Sequence, residues 1–545
     1  MPYYANGMDV SVMIRPESAP NPKLNNSTWP VAVAAVVGGG SVVNGMGYIR
    51  GSRHDYDAWE ELGNPGWGWD SMLSYFKKST AYTPPTPETV SGWNVTWDPS
   101  AYGSGPLQVH NSDFKYPDLA AFWAALRHDP GVEVLRDSNS GIGPGASWAT
   151  ATIDARDMTR STARKAYYDT VNTTRPNLHL LTGHTAKELL FGSRKPLEAK
   201  GVRVLSPDGA TREYFARKEV ILAAGAIQTP QLLQVSGIGP ASVLRAAGIK
   251  VRRHLPAVGA NFQDHATTLM LFSLSNQSFP NRDTIASNAT YNATVWNEYL
   301  ANKTGPIAAG AADTLIMRSS LPELHSSRAA ASTAAKLLAQ DPKLYLPDLY
   351  TSSGSLLKGF KAQRKILARH FRSGDTSIVS MPVPASGISP NALLKPLSRG
   401  TVTLNLTDPY GLPVVQYHTL LNPVDADNVL AIVRRNRQFW ARPELAHLSP
   451  VEIQPGAQHQ TDDEIMTALT TNSFALWPSL AHASGTCAMM PEKLGGCVGP
   501  DLRVYGVGKL RVVDASMMPI IPAAALQATV YAVGEKAADL IKGRG

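Results

Sequence analysis

The chain has 545 residues, 43% of them hydrophobic and 17% charged, which excludes a disordered polypeptide and allows two or more domains or one large interleaved one. The net charge is +8, but the Lys and Arg are scattered without a basic run, so a solvated surface is expected and nucleic-acid binding is not. No stretch of 18 apolar residues exists, so no membrane-spanning helix is expected.

Taken in chain order, MPYYANGMDV carries no signal peptide. Nine Asn-x-Ser/Thr sequons nevertheless occur, at Asn25, Asn26, Asn94, Asn172, Asn276, Asn288, Asn292, Asn302 and Asn405, and these favour a secreted glycoprotein. Residues 31–50 open with an apolar run ending in Gly38-Gly39-Gly40, like a strand feeding a phosphate loop. The final small residue of GxGxxG is missing there, so the dinucleotide-fold signal is weak. Residues 57–78 read as helical, and a Pro/Thr-rich loop, Thr80 to Thr89, is expected next. Lys218 to Ala224 reads as a buried strand, followed by a helix from Gly225 with Leu232, Leu233 and Ser236 at helical spacing.

Residues 266–390 read as polar, sequon-rich loops, an Ala-rich helix near 328–339 and Pro-punctuated strands. Thr401 to Leu406 alternates with period two, as a half-buried strand does. Cys487 and Cys497 fit either one disulfide or two small buried thiols, and two Cys alone make no zinc site. A short strand, Leu510 to Val513, delivers Asp514-Ala515-Ser516 to a loop with Pro519 and Pro522. The last helix then follows, with Leu526, Val530, Val533, Ala537 and Leu540 spaced as one apolar face. A carboxylate at a strand end beside a helix start is a common way to hold a polar cofactor. The elements together describe a mixed α/β protein with an antiparallel second sheet.

Four separated blocks resemble the glucose–methanol–choline (GMC) oxidoreductases, flavoenzymes that oxidise alcohols. They are Gly39-Gly40-Ser41-Val42-Val43-Asn44-Gly45-Met46 extended through Arg50-Gly51 and Asp55 to Trp59; Gly225 to Pro230 through Ser236 to Gly239; Val258 to His265; and the stretch from Gly485 to the C-terminus, with Ser398-Arg399-Gly400 upstream. Within the family the C-terminal wording looks closest to fungal secreted and secondary-metabolism members.

The resemblance implies an α/β (α+β) fold in which an FAD-binding Rossmann-like domain is interleaved with an antiparallel-sheet substrate domain. The expected divisions are 1–265 (FAD-binding), 266–390 (substrate segment) and 391–545 (substrate sheet, then the FAD-domain strand and last helix). It implies FAD as cofactor, touched by Gly39, Gly40, Ser41, Asn44, Gly45, Met46, Ala186, Asp514, Ala515 and Gln527. It also implies a small-molecule alcohol as substrate. His482, in His482-Ala483-Ser484-Gly485-Thr486, matches the active-site base, and an imidazole titrates near working pH. His265 matches a structural, cofactor-side residue rather than a base.

Two departures from the family pattern stand out. Where the family places a second His or Asn opposite the base, this chain has Ala525, which can neither bond a hydroxyl nor share a proton. The first matched block lies at residue 39, so the family's opening GxGxxG unit is not seen, and an incomplete N-terminus is the expected reason. The leading expectation is an FAD-dependent alcohol oxidase or dehydrogenase. The alternatives are a non-redox lyase or cyclase on the same scaffold, as in hydroxynitrile lyases and versicolorin B synthase, or an inactive binding protein.

Overall fold

The computed structural model describes residues 10–193, 196–309 and 314–543. Its largest element is a seven-stranded antiparallel sheet. Six strands run in the order Pro450–Gln454, Thr267–Leu274, Ile388–Leu393, Val379–Val383, Leu315–Ser319 and Gly145–Trp148. The short strand Leu476–Trp477 pairs with the start of Thr267–Leu274, Trp477 facing Thr267. Residues 266–390, which read as poorly ordered from sequence, supply four of these strands and much of the core. Their alternation is masked because Leu315–Ser319 is buried at every position, as a covered strand must be. The helix Pro423–Trp440 lays Val424, Val429, Ile432, Val433 and Phe439 into the same core. Trp440 stacks on Phe272 of the sheet at 4.3 Å between centroids.

A second core gathers around the cofactor-side elements. The strands Val220–Leu222 and Leu510–Val512 pair in parallel, and the helix Gly225–Val235 follows the first at once. The opposite edge of Val220–Leu222 is unpaired among the described residues, and Ile221 is 44% exposed there. The expected helix over 57–78 is two helices, Arg53–Glu61 and Trp69–Ser79. Gly63, Pro65, Gly66 and Gly68 break it, and the Asn64 amide ties the break to the carbonyls of Trp59 and Met489.

The expected Thr80–Thr89 loop contains a strand, Thr80–Thr83, parallel to Leu107–His110. A helix, Pro87–Trp93, then begins with Thr86 capping Thr89 N–H. The last helix, Gln527–Ile541, uses the apolar face that spacing suggested: Val533 and Ala537, with Leu526 just before them, are buried, and Val530 and Leu540 pack half-buried against the same core. It also buries Ala528, Thr529, Ala532 and Lys536. Lys536 is accommodated by bonding Ser71 Oγ and by lying over the rings of Trp67 and Tyr75. Both cysteines are buried free thiols. No helix among the described residues is long and apolar enough to cross a membrane.

Candidate active site and cofactor cleft

The segments 261–265 and 482–485 lie side by side because Gln263 and Ser484 exchange backbone hydrogen bonds at 3.0 Å in each direction. Asp264 clamps the pair together. Its Oδ1 accepts from the backbone N–H groups of His265, Leu480 and His482 at 2.8, 3.1 and 3.0 Å, and its Oδ2 accepts from Ser479 Oγ at 2.7 Å. Ser479 Oγ in turn accepts from Ala481 N–H. Ala481 sits at φ +57°, a left-handed conformation costly for a residue with a Cβ, and the turn it makes presents His482. Burial pushes the Asp264 carboxyl up to about 6, against the pull of these four donors.

This geometry brings His482 against His265, Nδ1 to Nδ1 at 2.8 Å with the rings perpendicular. His265 is fully buried, and so is more than the structural, cofactor-side residue the sequence suggested: it touches the candidate base itself. Burial lowers His482 to about 4, although the residue keeps some exposure. Burial also lowers His265 well below its ordinary value, with His482 and Lys395 acting in the same sense. Both imidazoles are therefore neutral at pH 7, the state a proton acceptor needs.

The motif polar residues around them are mutually satisfied. Asn261 Nδ2 donates to the carbonyls of Gly485 and Pro519, while its Oδ1 accepts from Gln363 Nε2 and Arg399 Nε. Gln263 Nε2 donates to Pro519 O, and Gln263 Oε1 receives Ile521 N–H. Thus Arg399 of the Ser-Arg-Gly block, the Val258–His265 block and the C-terminal loop form one buried network.

Among the predicted cofactor residues, Gly39, Gly40 and Gly45 border an open cleft, whereas Met46 and Asp514 are buried. A methyl group placed on Gly39, Gly40, Gly45, Gly47 or Gly225 would meet no atom within 4 Å. Gly39 and Gly225 also sit at φ +54° and +81°, where a side chain is strained. Ser41 Oγ donates to Gly38 O and accepts from Ala163 N–H. Asn44 Oδ1 accepts from Met46 N–H and Arg160, and Asn44 Nδ2 donates to Gln527 Oε1. Gln527 Nε2 donates to Gly47 O. With its amide engaged at both ends, Gln527 is not free to replace the partner missing at Ala525, a half-buried methyl.

Asp514 joins the parallel strands to the following helix. It accepts from Gly225 N–H, Thr229 Oγ1 and both the N–H and Oγ of Ser516. Ala515 O accepts from Gly485 N–H, which connects this corner to the histidines. Ala186 is exposed on the neighbouring strand Thr185–Phe191. Asp264, Arg160 and Gln263 were not singled out as site residues from sequence, because most of their partners are backbone atoms that no spacing pattern records. The surviving signal was that Asp264 and His265 fall in one motif.

These residues fit a flavin dinucleotide. The glycines leave room for a polar, flat group against bare backbone. Gln228, one turn into the helix beside the cleft, keeps both polar atoms of its amide buried and unbonded.

Comparison with known proteins agrees. The N-terminal and C-terminal family models of GMC oxidoreductases match residues 5–267 and 396–534. The chain is similar to dehydrogenase xptC of Emericella nidulans, 37% identical over 533 residues, covering 96% of this chain and 83% of that protein. It is 32% identical to patulin synthase of Aspergillus clavatus over 518 residues, covering 93% and 78%. Among solved structures it resembles an FAD-dependent oxidoreductase from Chaetomium thermophilum, with 37% identity, a TM-score of 0.92 and coverage of 99% and 93%. A fungal aryl-alcohol oxidase gives 34% identity and a TM-score of 0.90, with coverage of 99% and 91%. The chain belongs to the GMC oxidoreductases, a family of FAD-dependent enzymes.

Proposed function

We propose that the protein oxidises the CH–OH group of a small alcohol, with His482 taking the hydroxyl proton. The observation that carries this reading is a neutral imidazole fixed beside the cleft by Asp264, with a second neutral imidazole behind it. When bound, FAD supplies the hydride acceptor at flavin N5. The bare backbone of the glycines would hold it, Asn44, Gln527 and Asp514 brace the segments around it, and the buried Asn261–Gln363–Arg399 network fixes the backbone on which His482 stands.

Aryl alcohols are the first substrates to try. Trp477, near His482 in the chain, lies 5.7 Å from Trp29 and keeps its Nε1 buried and unbonded, and a structural relative is named an aryl-alcohol oxidase. Replacing His482 by Ala should slow anaerobic, substrate-driven flavin bleaching by about 10²–10⁴-fold. Bleaching at the parent rate would refute the assignment.

Ala525 supports a second reading, acid–base chemistry without net oxidation, since a methyl gives the substrate oxygen no second polar partner. Turnover without bleaching would select it. We also infer secretion and glycosylation, because none of the nine sequon asparagines is buried.

A further inference from the structure

Met46 is fully buried and sits at φ +62°, a left-handed conformation that a side chain makes costly. It stands between Gly45 and Gly47, both of which face open space, so its shape sets that of the cleft wall. Its N–H donates to Asn44 Oδ1 at 2.9 Å, and its carbonyl accepts from Thr152 N–H at 2.9 Å. Its side chain packs on Ala151, Ile153 and Met158. These belong to, or adjoin, a small hairpin in which Ile153–Asp154 pairs with Thr159–Arg160.

The last residue of that hairpin reaches back to the same segment. Arg160 Nη1 donates to Asn44 O at 2.6 Å and to Asn44 Oδ1 at 2.9 Å. One cationic nitrogen thus grips the main chain and the side chain of Asn44 together. Hydrogen bonds of this charged kind are roughly twice as strong as neutral ones. The hairpin is itself stiffened, because Asp154 accepts from Arg156 on both oxygens at 2.8 Å and pairs with Lys165 at 2.9 Å.

The polarity of the contacts then runs one way. The guanidinium and Met46 N–H only donate, so Asn44 turns its oxygen to them and its Nδ2 to Gln527 Oε1, 3.0 Å away. Gln527 Nε2 is left facing Gly47 O at 2.6 Å, and a carbonyl only accepts. Reversing the Asn44 amide would set three donors against one another. Arg160, Asn44, Gln527 and Gly47 therefore form one string around Met46.

We propose that Arg160 is a positioning residue for the flavin: by fixing Asn44 it holds the Gly45–Met46–Gly47 turn in its left-handed shape and ties it to the start of the last helix. The inference rests on the reading of the glycine segment as the place where FAD meets bare backbone. Arg160 need not touch the cofactor, because it sets the backbone that does.

Two substitutions separate this role from packing. Arg160→Met keeps a long apolar stem and removes the donor, whereas Arg160→Lys keeps a charged donor. Flavin fluorescence on dilution of the holoenzyme should show FAD held about 10–100-fold more weakly in Arg160→Met and within about fivefold of the parent in Arg160→Lys. Hydrogen exchange of the flavin-free protein gives a readout independent of turnover and of FAD. Amides of residues 44–48 should exchange about tenfold faster in Arg160→Met and near the parent rate in Arg160→Lys, while residues 480–486 keep the parent rate in both.

Unchanged exchange at 44–48 in Arg160→Met, or equal losses in the two variants, would overturn the proposal. Faster exchange at 44–48 with FAD held as tightly as in the parent would instead overturn the placing of FAD against this segment.

Discussion

Replacing Lys395 by Met strands the Asp55 carboxylate in the interior, and the loss can be sized from its surroundings. Both side chains are fully buried and ion-paired with one another. Asp55 also receives the N–H and Oγ of Ser52, and Lys395 Nζ reaches Ile521 O at 3.4 Å. Burial alone would raise the Asp55 carboxyl, but the adjacent ammonium outweighs it and holds the group below its ordinary 3.8. Removing one member of such a pair costs about 3–5 kcal/mol. At about 2.1 cal/mol/K per residue, a chain of 545 residues carries roughly 1.1 kcal/mol/K of unfolding entropy, so Tm should fall by about 3–5 °C.

The sign with pH is distinctive. In the variant, the Asp55 pKa lies above its unfolded value, so its stabilising contribution is present at low pH and lost as pH rises. The Tm gap between parent and variant should therefore narrow between pH 7 and pH 4.5. Adding Asp55→Asn, which keeps an oxygen for Ser52, should recover most of the loss. Scanning calorimetry at the two pH values reads both effects. A drop below about 1 °C at pH 7, or a gap that does not narrow on acidification, would refute the reasoning.

A side chain at Gly40 enters open space rather than protein, so Gly40→Val should leave the Tm of the flavin-free protein within about 1 °C while lowering bound FAD severalfold. Full flavin absorbance in that variant would count against the cleft. His482, held near 4 against an ordinary 6.5, contributes on the order of 3 kcal/mol that is fully present above pH 6.5 and lost as pH falls toward 4. His370, held near 3, acts in the same sense, whereas Asp264, raised to about 6, contributes stability that is lost as pH rises through that value. Tm should therefore fall from pH 6.5 to 4, and a rise over that window would contradict the assignment. Protein secreted from a fungal host should shift to lower mass on treatment with an amidase that removes N-glycans; no shift would remove the sequons from the argument.

The residues legible in the sequence were those whose identity is forced by shape or chemistry. Gly39, Gly40 and Gly45 stood out because bare backbone lets a cofactor approach, and His482 because few side chains move a proton near neutral pH. Asp264 was legible only as part of the Val258–His265 block, its clamping role hidden because its partners are mostly backbone N–H groups of Leu480, His482 and His265. The Asp55–Lys395 pair spans 340 residues of sequence, beyond the reach of any local pattern. The last helix was legible in part: spacing pointed to Leu526, Val533 and Ala537, which are buried, but not to the alanines and the stacked Lys536 that widen the buried face.

The bonds from Asn44 and Gly47 to Gln527 join residues about 480 positions apart. At 5–20 residues per second, a ribosome makes these two ends about 25–100 s apart. Through that interval the glycine segment exists without the helix start that closes it. The contacts that tie the glycine segment to the start of the last helix therefore form only after Gln527 has been made, so this corner of the fold is assembled late in synthesis.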